Sequence, residues 1–300
     1  MSGILVVLVL IIAACQPIQP ATAPAAEATA EPTEAPAEAA AIVGDAANGQ
    51  YLVTVTGGCG CHFNADLGGL AGGRKFEGPF GMVYAKNLTP DEETGIAGDG
   101  DKLLVDILRT GIEDLGDGSP VEVFHPIMPY KTFSILSDQD AYDIVAYLRT
   151  LPAIKNAVAD RELKEDPPAW TPASAPLAAA PTEPVARGEY LVTLANCSGC
   201  HTPKKEDGSP NADKYLAGAP VGEEVSANIT PDEATGIGAW TAEDLAKYIL
   251  TGTEPDGKQA EGAMAQQIER RFSKLTEGDA AAIAAYLKSI PAVNNDPSAK

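Results

Sequence analysis

The chain has 300 residues, with 42 carboxylates against 21 Lys and Arg, a formal charge of −21. That balance argues against nucleic acid and against adsorption to anionic lipid through a basic face, because both depend on clustered cations; a docking partner, if charge selects it, is cationic. Aromatic residues make up only 6%, so two small domains must build their cores from Ala, Leu, Ile, Val and a few Tyr, and such cores often need a staple or an inserted cofactor.

Ile4 to Ala14 is an apolar run too short to cross a bilayer as a helix but of the length of a signal-peptide apolar region. It leads into Ile12-Ala13-Ala14-Cys15, which resembles the lipobox of bacterial lipoproteins, although Met1-Ser2-Gly3 lacks a basic residue. The resemblance implies that residues 1–14 are removed and Cys15 is lipidated. The protein is then exported and held by a lipid anchor at the outer face of the cytoplasmic membrane or in the periplasm. Residues 15–41 are rich in Ala, Pro, Thr and Glu and read as an extended, disordered tether.

The remainder is duplicated. Gly49-Gln50-Tyr51-Leu52-Val53-Thr54 matches Gly188-Glu189-Tyr190-Leu191-Val192-Thr193, and Cys61-His62 matches Cys200-His201, both at an offset of 139 residues. Asn87-Leu88-Thr89-Pro90-Asp91-Glu92 matches Asn228-Ile229-Thr230-Pro231-Asp232-Glu233, and Tyr147 to Ala153 matches Tyr286 to Ala292. The repeat places one domain at 42–158 and a second at 181–295, with a Pro- and Ala-rich linker over 159–180.

Each copy reads as helical. A short helix around Tyr51 or Tyr190 leads into a cysteine turn. Asp101 to Thr110, closed by Gly111, corresponds to a helix capped by Thr241 with Leu245, Tyr248 and Ile249 on one face. Ser137 and Thr276 cap the last helices, which turn Ile144, Val145 and Leu148, or Ile283, Tyr286 and Leu287, inward and stop near Pro152 and Pro291. No strand pattern is visible, so the expected fold class is all-α.

Cys197-Ser198-Gly199-Cys200-His201 carries the chemistry. Two thiols three residues apart on a helical turn reach the two vinyl groups of a haem, and the adjacent His lies beneath the iron; C-x-x-C-H is the pattern of c-type haem attachment. A thioredoxin-like site wants a βαβ context, and a zinc site wants four ligands in a chain with three His. A sixth iron ligand is usually Met or His. Met128 and Met264 stand at matching places, 66 and 63 residues after His62 and His201, whereas Met82 has no counterpart.

The first copy departs from the pattern, reading Gly58-Cys59-Gly60-Cys61-His62. Gly58 occupies the position of Cys197. A one-residue shift turns a helical thiol by about 100°, so Cys59 points away unless the glycine-rich turn rewinds. The alternatives are a haem held by Cys61 alone, a distorted attachment through Cys59 and Cys61, or no haem. A free Cys59 would be a reactive thiol. His125 is a haem-flanking residue or a substitute for Met128.

These residues resemble the c-type cytochromes, above all the tandem-domain (diheme) cytochrome subunits of membrane-bound dehydrogenases, over about residues 42 to 295. The resemblance implies two tandem cytochrome c-like domains, each a small helical fold around one haem c. It implies axial pairs His62 with Met128 and His201 with Met264, and an electron carrier with no substrate chemistry at the iron. Its partners are redox proteins, a dehydrogenase or respiratory complex on one side and an acceptor on the other. The alternative is a diheme enzyme of the peroxidase or thiol-oxidising type, with an open iron in the first domain.

Overall fold

The computed structural model describes residues 42–298; the expected signal peptide, Cys15 and tether lie outside the described residues. In chain order, helix α1 (Ala46–Thr56) leads through a 3-10 turn (Gly60–His62) to a hairpin of β1 (Lys75–Gly78) and β2 (Gly81–Tyr84). Helix α2 (Asp101–Thr110), the short strands β3 (Ile112–Glu113) and β4 (Glu122–Val123), α3 (Tyr130–Phe133) and α4 (Asp138–Arg149) complete the first half. Strand β5 (Glu162–Leu163) follows. The second half runs α5 (Pro184–Leu194), α6 (Cys197–His201), hairpin β6 (Ala219–Val221) and β7 (Glu224–Ser226), α7 (Ala242–Thr251), α8 (Gly262–Arg270) and α9 (Glu277–Ser289).

Helices dominate, but the all-α expectation needs correction. Among the described residues there are three small antiparallel sheets: β1-β2-β5, β3-β4 and β6-β7. Their strands span two to four residues, too few for a period-two alternation to show. Pairing Gly78 with Gly81 makes the first hairpin a tight one.

The helix boundaries follow the caps. Ser137 accepts from the Asp140 amide, and Thr276 from Asp279. Thr241 and Asp244 form a reciprocal capping box. Gly111 closes α2 at φ 68°. Within each half the first and last helices cross closely. A Cβ at Gly49 would lie 1.9 Å from the Asp143 carbonyl oxygen, and one at Gly188 would lie 2.0 Å from that of Ala282. Glycine is therefore the only residue that permits either crossing.

The stretch expected as a linker is laid against the first half. Leu163 pairs with Gly81, the Trp170 ring sits 5.9 Å from that of Tyr130, and the Leu177 and Ala178 carbonyls accept from the Asp138 and Gln139 amides. One apolar core runs through both halves, joining Leu52, Val55 and Leu136 to Leu191, Leu194 and Leu275.

The joint between the halves is built from exchanged pairs. The Tyr51 hydroxyl donates to Asp279 at 2.6 Å, and the Tyr190 hydroxyl donates to Asp140 at 2.6 Å. The cap amides reciprocate: Ser137 N–H donates to the Tyr190 oxygen at 3.0 Å and Thr276 N–H to that of Tyr51 at 3.3 Å. Each tyrosine thus reaches the cap of the other half's last helix. Arg187 adds a two-pronged ion pair to Asp279, both contacts 2.9 Å, where the first half has Asn48 donating to Asp140 and Asp143.

Burial raises the Asp279 pKa, but the hydrogen bonds from Arg187 and Tyr51 outweigh it and bring the carboxyl below its ordinary value. Burial and the Asp279 contact push the Tyr51 phenol up to about 12. A depressed carboxyl contributes stability above its unfolded pKa, near about 4, and that stability is lost as pH falls through the folded value. Thermal melts should therefore show the parent losing more stability than Asp279→Asn between pH 7 and pH 3. Equal losses would mean that this carboxylate adds nothing at the joint.

Candidate functional site

The His-bearing turns are followed by hairpins whose outgoing strands lead to Asn87 and Asn228. In the first half, the buried Asn87 side chain donates to the Ile154 carbonyl at 2.8 Å and accepts from the Thr89 amide and hydroxyl. Thr89 in turn accepts from Ile154 N–H. Asn228, Thr230 and Val293 repeat this knot. The repeated N-[IL]-T segment is thus a polar clasp that ties the chain beyond each last helix to the chain beyond each hairpin.

The clasp fixes the residue just before it. The Lys86 carbonyl lies 2.7 Å from His62 Nδ1, and the Ala227 carbonyl lies 2.8 Å from His201 Nδ1. A carbonyl can only accept, so each Nδ1 carries the proton and each Nε2 keeps a free lone pair, the form that binds a metal. Burial lowers both imidazole pKa values, against a smaller upward effect of the carbonyl, and favours the neutral ring.

All eight candidate residues line one continuous cavity of about 790 Å³: Cys59, Cys61, His62 and Met128, with Cys197, Cys200, His201 and Met264. Its walls are apolar and matched between the halves. Ile96, Leu104, Leu108, Ile144 and Leu148 face it from one half, and Ile237, Leu245, Ile249, Ile283 and Leu287 from the other. Thiols, an oriented imidazole, a thioether and apolar walls form the donor set and surface that suit a thioether-linked haem. Among the described residues, no group of three or more His, Cys, Asp or Glu is placed to hold a bare metal ion.

The methionines are presented differently. Met128 sits in a turn, its amide donating to the His125 carbonyl at 3.0 Å, ahead of α3. Met264 is the third residue of α8, whose Ala263 amide donates to Glu224 at 2.9 Å. Met82 is paired in β2 with Glu77 and Glu162 and does not line the cavity.

His125 stacks on Phe80 with centroids 4.0 Å apart. Its Nδ1 accepts from the Ile127 amide at 3.2 Å. That bond leaves the neutral ring's proton on Nε2, unlike the two rings with free Nε2 lone pairs.

At the irregular motif the chain does rewind. Gly60–His62 is a 3-10 turn, closed by His62 N–H donating to the Cys59 carbonyl, whereas Cys197–His201 is α-helical. Three residues per turn instead of 3.6 turns Cys59 back toward Cys61 by about 40° over two residues. Cys59 is 8% exposed and Cys61 is exposed, which parallels half-buried Cys197 and exposed Cys200. A Cβ at Gly58 would stand 3.2 Å from the Phe133 ring, so the position of Cys197 is partly filled in the first half. Burial pushes the Cys59 thiol up to about 12, and that of Cys197 up to about 11.

Comparison with known proteins identifies relatives of the chain. A model of the cytochrome c family matches residues 185–291. The fructose dehydrogenase cytochrome subunit of Gluconobacter japonicus is 34% identical over 82% of this chain and 52% of its own length. A diheme cytochrome c-type protein of Cereibacter sphaeroides is 32% identical over 85% of this chain and 88% of its own. The gluconate 2-dehydrogenase cytochrome c subunit of Pantoea cypripedii is 32% identical, over 84% and 62%. The chain therefore spans about half the length of the fructose dehydrogenase subunit and less than two thirds of the gluconate one.

Proposed function

Because the chain belongs to the cytochrome c family, we propose that it relays electrons outside the cytoplasm through two haems c, one in each half. Covalently bound haem c is the family's cofactor and supplies a one-electron couple between ferric and ferrous iron. The observation that carries the reading is the doubled donor set around one cavity. His62 and His201 would coordinate through Nε2, each held by its carbonyl. Met128 and Met264 would fill the sixth positions and raise the potential, as thioethers do. The apolar walls exclude water, so an oxidation-state change demands little reorganisation.

Attachment in the first half uses Cys59 with Cys61. The 3-10 turn and the inner-outer burial of the two thiols support it. The enzyme reading is not favoured, because it needs an open iron and a nearby acid-base group, and His125 is stacked and hydrogen-bonded away from either role. The relatives' names point to a dehydrogenase as electron donor, and lipidation at Cys15 would hold the chain at a membrane.

Intact mass of the purified protein tests the reading, with the polypeptide plus two haems as the expected result. One haem would leave a single-site carrier, and none would end the proposal. Cys59→Ser should keep both haem masses but leave one vinyl group unreacted, moving the absorption of the first-half haem to longer wavelength. An unshifted spectrum would mean that Cys61 alone makes the bond.

A further inference from the structure

Besides Arg187, a second cation breaks the symmetry of the joint. Arg271 follows α8, is half-buried, and lines the shared cavity. Its guanidinium donates to the Thr56 carbonyl, to the Val55 and Ala195 carbonyls at 3.4 Å each, and to Gln267 Oε1 at 2.8 Å. Those carbonyls close the C-terminal ends of α1 and α5, the helices that feed the two cysteine turns. No ion pair among the described residues involves Arg271, although the chain has twice as many carboxylates as Lys and Arg.

The first half has no counterpart. The residue matching Arg271 is Thr132, and the residue matching Gly57 is Asn196. Gly57 has φ +66°, and a Cβ there would lie 2.8 Å from the guanidinium carbon. Any side chain at position 57 would displace the cation. The sequence thus makes room for a charge at this spot in one half only.

A desolvated cation is costly unless its donors are satisfied. Here the negative ends of two helices satisfy them with partial charges, and no carboxylate is paired with the guanidinium among the described residues. The charge therefore persists, in a setting where water and salt screen it weakly. It acts on the second attachment turn, which it meets at the Ala195 carbonyl two residues before Cys197.

We infer that Arg271 is a potential-setting residue of the relay: its charge, without a carboxylate partner among the described residues and fixed between the two attachment turns, raises the reduction potential of the second-half haem and, to a smaller extent, of the first. This rests on the two-haem reading above. Losing positive charge beside an iron that gains an electron on reduction stabilises the ferric state.

The test is a potentiometric titration of the full-length haem-loaded protein and three variants, with haem number read by mass in each. Arg271→Gln removes the charge and keeps an amide donor. Gln267→Glu keeps Arg271 but places a carboxylate at the present 2.8 Å contact. Both should lower the potentials, the second-half haem most, while Arg271→Lys should stay near the parent. Should Arg271→Gln fail to fold, Gln267→Glu decides alone. Unmoved potentials in a two-haem Gln267→Glu protein would overturn the inference and leave the relay standing. An Arg271→Lys shift as large as that of Arg271→Gln would also overturn it, by showing that shape rather than charge matters. A parent without haem would overturn both.

Discussion

Replacing Cys197 and Cys200 together with Ala should remove one haem mass and most of the helical signal of the second half in circular dichroism. The reason lies in the walls. Ile237, Leu245, Ile249, Ile283 and Leu287 all face the cavity, and few aromatic residues are at hand to fill it. At about 24 cal/mol per Å³, an unfilled apolar void even half the size of the shared cavity would cost close to 10 kcal/mol. That compares with about 5–15 kcal/mol of net stability for a whole domain. Helices α7 and α9 pack on each other but depend on the cofactor for their inner faces. Because the core is continuous between the halves, the first half should also melt at lower temperature. A variant with the parent's helical signal would show that the walls close on themselves and that haem is not part of the core.

The second large effect is expected from Tyr190→Phe. Tyr190 is 4% exposed, and its hydroxyl both donates to buried Asp140 and accepts from Ser137 N–H. Deleting the oxygen leaves a buried carboxylate short of a donor and a cap amide without an acceptor. Hydrogen bonds to charged groups contribute roughly 1.5–3 kcal/mol, which at this chain length lowers the melting temperature by about 3–6 °C. Tyr51→Phe removes the matching oxygen, but Arg187 remains on Asp279 through two contacts. Its loss should be less than half as large. Equal losses in the two variants would show that Arg187 does not substitute for the hydroxyl.

Much of the architecture was legible because it rests on local chemistry. The caps Ser137, Thr241 and Thr276, the stop at Gly111 and the inward faces of α4 and α9 follow from short-range rules, and the structure has them. The candidate residues were legible as motifs, and the structure gathers them around one cavity. Four features stay hidden. The hairpins are too short to carry a period. Tyr51 and Tyr190 read as ordinary apolar helix positions, because a hydroxyl reaching a cap some 225 or 50 residues away leaves no local trace. The stretch 159–180 has linker composition, yet its Trp170 and its carbonyls find partners on the first half that composition does not reveal. Arg271 is silent for a related reason: nothing beside it in the chain announces the two helix ends that hold it.

The swapped tyrosine–carboxylate pairs carry an implication for origin. A face on which each copy supplies both the hydroxyl and its acceptor is self-complementary, the defining property of a two-fold homodimer. Fusing two such copies into one polypeptide makes their meeting independent of concentration. It also frees them to diverge, which identical protomers cannot do. Asn48 opposite Arg187, Thr132 opposite Arg271 and Gly58 opposite Cys197 are the marks of that freedom: two copies of one sequence now differ at their joint and at their cysteine turns.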